Sequence, residues 1–177
     1  MDYDTMQIPT CEAAVEEALF YRESGNVLYI RAQGHIAVKL CAELKARVFE
    51  RLEANPPVQR LYVDLGPCEY MDSTFMGLLV GFNKRLLRFS EKPITILRAN
   101  ETCQKLLRTI GITRLVELSD EAVPFPELEP IGSAGAAPAG MLLDAHEDLA
   151  GLSEENEKKF AGLLSILEQK ARDEKAD

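Results

Sequence analysis

Tryptophan is absent from this 177-residue chain, aromatics make up only 7% of it, and there are just two histidines, His35 and His146. The four cysteines, Cys11, Cys41, Cys68 and Cys103, are scattered, with no C-x-x-C pair among them. Zinc and thiol-redox sites need clustered thiolates or imidazoles, so the sequence predicts neither a metal site nor a cofactor. Scattered thiols are best read as reduced ones in a cytoplasmic protein. The opening MDYDTMQIPT lacks the basic-then-apolar plan of a secretory signal. Hydrophobic runs such as 75-FMGLLVGF-82 are too short to span a bilayer. No long basic cluster offsets a net charge of −9, which argues against nucleic acid or an anionic membrane as partner. The G-x-S-x-G elbow of serine hydrolases is missing too.

What is present is a regular alternation of strand and helix patterns. The strand-like 17-EALFYRE-23 and 27-VLYIRAQ-33 flank a Ser24-Gly25-Asn26 turn signal and predict a hairpin ended by Gly34. From Val38, Leu40, Cys41, Leu44, Val48 and Leu52 recur at helical spacing until Asn55-Pro56-Pro57 stops them. Strand 60-RLYVDL-65 then leads into a helix from about Asp72 to Arg88. Strand 93-PITILRA-99 follows, then a helix at 101–111 with Asn100 as N-cap and Gly111 as stop. A last strand spans 114–119. This order predicts an α/β fold, a mixed sheet of four to five strands with helices on one face.

Beyond residue 121 the composition changes. The segment 122–140 is rich in proline, glycine and alanine and reads as a flexible linker. Residues 141–177 form a helical tail carrying ten acids and five bases, with a helix break at Gly151-Leu152-Ser153. The organisation predicted is a domain at 1–121, a linker at 122–140 and a helical extension at 141–177. Leu142, Leu149 and Leu163, with Asn156 on the same stripe, permit either a fold-back onto the domain or a homodimer contact.

The chemistry concentrates at Asp72-Ser73-Thr74, between strand 60–65 and the following helix. The plain interpretation is an aspartate N-cap with hydroxyls in the first turn. A nucleophilic serine needs a histidine base and an orienting acid that the pattern does not supply. A thiol mechanism through Cys68, His35 and Asp72 can be drawn, but no spacing supports it, and buried cysteine is usually a small hydrophobe. Phosphate acceptance is the third interpretation. A helix N-terminus favours an anion, and a phosphate beside Asp72 adds about −1.5 to −2 charges that would expel a tightly fitted partner.

The stretch 69-EYMDSTFMGLLVGFNKRL-86, preceded by 61-LYVDLG-66, resembles the STAS domain of bacterial anti-sigma factor antagonists. The flanking 27-VLYIRAQGHIAVKLCAELKARV-48 and 94-ITILRANETCQKLLRTIGITRLVELS-119 fit the same pattern, so the resemblance covers about residues 16 to 120. It implies a non-enzymatic regulator with no catalytic residues. Its partners would be a serine kinase that doubles as an anti-sigma factor and a serine phosphatase that reverses the kinase. By that resemblance Ser73 is the phosphate acceptor, with Asp72 before it and Thr74 beside it; the partner contact is expected to comprise Asp72, Thr74, Phe75 and Met76, although Met76 is most simply read as core. Two departures stand out: Phe75 replaces the family's glycine, and Ala37 stands where an acid is usual after the hairpin. They favour an alternative, a constitutive STAS adaptor in a larger, for example transporter-associated, assembly, with an exposed Phe75 as hydrophobic anchor. Gly77 and Gly81, one turn apart, are expected to let the helix approach the sheet.

Overall fold

The computed structural model describes residues 15–133 and 135–177; the N-terminal stretch read for a signal, with Cys11, lies outside the described residues. Strands β1 (Ala18–Ser24) and β2 (Val27–Ile36) pair antiparallel around the Ser24–Val27 turn, as the hairpin signal predicts. β3 (Arg60–Asp64), β5 (Thr95–Leu97) and β6 (Glu117–Ser119) add in parallel, and β7 (Glu129–Ile131) pairs antiparallel with β1. The order is β6-β5-β3-β2-β1-β7, with β4 (Cys68–Met71) pairing with the far end of β2. The sheet is thus mixed, as expected, but among the described residues it has seven strands rather than four or five.

The two extra strands fall where local pattern is weakest. β4 has four residues, buried at its ends and exposed at Glu69 and Tyr70, so it carries no alternation. It joins β2 where the ladder shifts register between Gly34 and His35. Gly34 adopts φ 70, and a Cβ there would stand 2.9 Å from the Val15 carbonyl oxygen, so the irregularity needs glycine. β7 lies inside the proline- and glycine-rich segment expected to be a flexible linker, and Ile131 is buried against the core. That segment is therefore anchored on the sheet edge midway along its length.

Helix α1 (Cys41–Glu53), preceded by a 3₁₀ turn, buries Cys41, Leu44, Val48 and Leu52, the stripe seen in the sequence. α2 (Ser73–Leu86) packs against α1, with Phe49 and Phe82 in edge contact at 5.6 Å. α3 (Glu101–Ile110) starts on the Asn100 side chain, which accepts from the Cys103 amide, and ends at Gly111 in the left-handed region at φ 92.

The tail folds back as a helical hairpin. α4 (Ala139–Ala150) and α5 (Glu154–Ala176) pack together, and Ser153 caps α5 by accepting from the Asn156 amide. The stripe that also permitted a homodimer contact is partly consumed within the chain. Leu149 is buried, and the buried Asn156 amide donates to the carbonyls of Ile110 and Leu149. Leu163 and Ile166 remain exposed. Among the described residues, no helix is long and apolar enough to cross a membrane.

Candidate functional site

Asp72 joins the end of the sheet to the start of α2. Its amide donates to the Ile36 carbonyl at the end of β2, and its carboxylate accepts from the Phe75 amide at 3.0 Å. That is the N-cap geometry the sequence predicts, and it fixes Ser73 as the first residue of the helix. Ser73 is half-buried. It borders a groove of about 590 Å³ whose walls include Met76, Leu106 and Phe160, with Lys105 and Lys159 contributing cations. Both lysines are exposed.

The Ser73 hydroxyl meets a residue that the sequence did not single out for this role. His146 on α4 places Nε2 2.9 Å from Ser73 Oγ, while its Nδ1 lies 2.7 Å from the Leu142 carbonyl. A carbonyl only accepts, so Nδ1 carries a proton; in the neutral ring Nε2 then accepts from the Ser73 hydroxyl. His146 is 4% exposed. Its position one turn after Leu142 and three residues before Leu149, on the apolar stripe of the tail, was the available signal.

The other residues expected at the contact fall differently from expectation. Phe75 was expected as an exposed anchor, but it is 0% exposed and belongs to the core. Thr74 and Met76 are also buried, although Met76 still borders the groove. Helical geometry explains the split: each residue turns about 100°, so Phe75 points about 200° away from Ser73. The Ser73 side of α2 continues through Gly77 and Gly81, and α4 lies directly on it. A Cβ at Gly77 would stand 2.2 Å from the Ala145 carbonyl oxygen, and one at Gly81 3.0 Å from the Asp148 carboxylate. The two glycines thus admit α4 to close range, correcting the expectation that they serve approach to the sheet. Lys84 on α2 pairs with Asp148, and Lys45 on α1 pairs with Asp144 at 3.0 Å.

The thiol mechanism finds no assembled site. Cys68 Sγ lies 3.9 Å from Cys103 Sγ, and the hydrogen bond between them, together with burial, pushes the Cys68 thiol up. His35 instead faces Glu69, at 3.5 Å, and the Tyr70 ring. Cys41 is held protonated as well, by burial and the nearby Asp72 charge.

The family profile described as "Mlab, STAS domain" matches residues 19–117, more than half of the chain. The chain belongs to the STAS family. Its fold is also similar to that of the anti-sigma factor antagonist SpoIIAA in its unphosphorylated form, with 17% identity, a TM-score of 0.50, and coverage of 59% of this chain and 90% of that one. An anti-sigma factor antagonist from Mycobacterium paratuberculosis aligns at 14% identity and TM-score 0.49, over 63% of this chain and 90% of its own. No curated protein matches the chain. The hairpin α4–α5 lies beyond the matched STAS residues.

Proposed function

We propose that this STAS protein is a non-catalytic regulatory module of the cytoplasm whose α2 N-terminus docks on a protein partner. The partner is an anti-sigma serine kinase, and phosphorylation of Ser73 ends the contact until a serine phosphatase restores it. The observation that carries this is the placement of Ser73: first residue of α2, capped by Asp72, half-buried beside a groove that two lysines border. Asp72 orients the turn, and Met76 contributes to the contact through the groove; Thr74 and Phe75 act as packing beneath it. The test is intact-mass and site mapping of the protein purified from its native cells, alongside partner retention by Ser73→Ala and Ser73→Glu. One phosphate on Ser73, with retention by Ser73→Ala and loss in Ser73→Glu, is the expected result. No phosphate at Ser73, with Ser73→Glu binding as wild type, rejects the switch.

A second reading, the constitutive adaptor, is favoured by one specific observation: the Ser73 hydroxyl is already hydrogen-bonded to His146. In that reading the contact does not use Phe75, whose ring is in the core. It predicts that partner retention is indifferent to every substitution at Ser73.

A further inference from the structure

The Ser73 side of α2 is covered by a part of the chain built like a bound ligand. We propose that the α4–α5 hairpin is a detachable in-chain occupant of this face, closing it until a partner helix of similar chemistry displaces it. The proposal rests on the docking role assigned to α2 above, and it adds the occupant and the kind of partner.

Three features separate the hairpin from the sheet domain. First, its connection is short and made of small residues, touching the domain only through the Ser133 hydroxyl on the Lys39 carbonyl and the Ala137 methyl among the contacts described. After β7 fixes the chain to the sheet edge, residues 132–138 run Gly-Ser-Ala-Gly-Ala-Ala-Pro to the start of α4. Seven extended residues reach roughly 23–25 Å, enough for the hairpin to clear α2 without disturbing β7. Second, the hairpin is internally held. α4 and α5 pack along each other, and the Glu174 carboxylate accepts from the Ala139 amide at the first turn of α4. Third, its contact with α2 centres on small residues with a charged border, flanked by Met141, Leu149 and Phe160 in the core cluster and by the Asn156 amide on the Ile110 carbonyl. Ala145 sits over Gly77, Asp148 over Gly81, and Asp148 and Asp144 pair with Lys84 and Lys45. Side chains of this size interdigitate little, and partly exposed ion pairs are weak and screened by salt.

The same geometry describes the external partner. Such a partner presents a helix with a small residue at the Gly77 position and a carboxylate about one turn further along, facing Lys84. The groove beside Ser73 ends on Phe160 of α5. Removing the hairpin therefore frees the Ser73 hydroxyl from His146 and opens one wall of the groove in a single step.

The test keeps every residue present. A full-length chain with a protease recognition sequence inserted after the exposed Gly135 is cleaved, and both pieces stay in one solution. Dissociation of the hairpin on dilution is followed by analytical ultracentrifugation, and folding of the larger piece by its cooperative thermal transition. The expected result is a hairpin that leaves in the micromolar range while the larger piece still melts cooperatively. Ala145→Leu, confined to the hairpin, is expected to weaken reassociation at least tenfold, and Asp148→Lys severalfold. A larger piece that loses its transition as the hairpin leaves overturns the proposal. So does a hairpin that stays bound at nanomolar concentration, or one that rebinds equally well as Ala145→Leu. No kinase or external partner enters these measurements, so their outcome is separate from that of the phosphorylation test.

Discussion

Helix α2 has two sides, and they are covered by different kinds of structure. On one side Phe75, Phe82 and Leu79 are fully buried in a core built with the sheet and α1. On the other, Ser73, Gly77 and Gly81 meet α4, which lies 73 residues further along the chain at the Ser73–His146 contact. The first surface interlocks large side chains, and opening it exposes several of them to water. The second brings backbones close through missing side chains, fixed by the Ser73–His146 hydrogen bond and the Lys84–Asp148 ion pair. A helix made this way has a permanent side and a side suited to exchange.

Substitutions can break this contrast one side at a time. Phe75→Ala, on the permanent side, is expected to cost about 3–5 kcal/mol of global stability, measured by denaturant unfolding. A much smaller loss would mean that the ring is not interlocked as described. Gly77→Ala places a methyl group against the Ala145 carbonyl and should cost about 1–3 kcal/mol. The cost is expected in the hairpin alone, as accelerated hydrogen exchange of α4 with β3 unchanged.

Acid sharpens the contrast from the core side. Burial disfavours the charge on Asp64, but bonds from Arg98, the Gly66 amide and Arg31 outweigh it and hold the carboxyl below its ordinary value. A group depressed in the folded state contributes stability that is present above its unfolded pKa, about 3.9. That stability is lost as pH falls through the folded value. Asp64→Asn is therefore expected to cost about 1–3 kcal/mol at neutral pH. Its stability curve should converge with that of the wild type as pH drops below about 4. Parallel curves would refute the assignment. The smallest effect belongs to the border: Lys84→Ala should cost less than about 1 kcal/mol and vanish in high salt.

Much of the STAS domain was legible because its elements follow strong local rules. The β1–β2 turn, the α1 stripe, the Asn100 and Gly111 ends of α3 and the Asp72 cap all lie within a few residues of their causes. β4 and β7 were not legible, since each is held by a partner strand rather than by its own alternation. Phe75 was misplaced for a related reason. Its departure from the family's glycine marked it as unusual, but which side of α2 faces the core depends on contacts made by distant residues. Gly77 and Gly81 likewise signalled a close approach without naming what approaches. His146 was noticed only as a scarce imidazole, because its partner Ser73 is 73 positions away.

The most direct test is native-state hydrogen exchange of the full chain across low denaturant, compared for α4 and β3. If the Ser73 side is an exchangeable interface, α4 amides exchange through a partial opening well below the global unfolding free energy, and β3 amides only through global unfolding. If α4 and β3 share one opening free energy at every denaturant concentration, the hairpin is a fixed part of the core and the account is wrong.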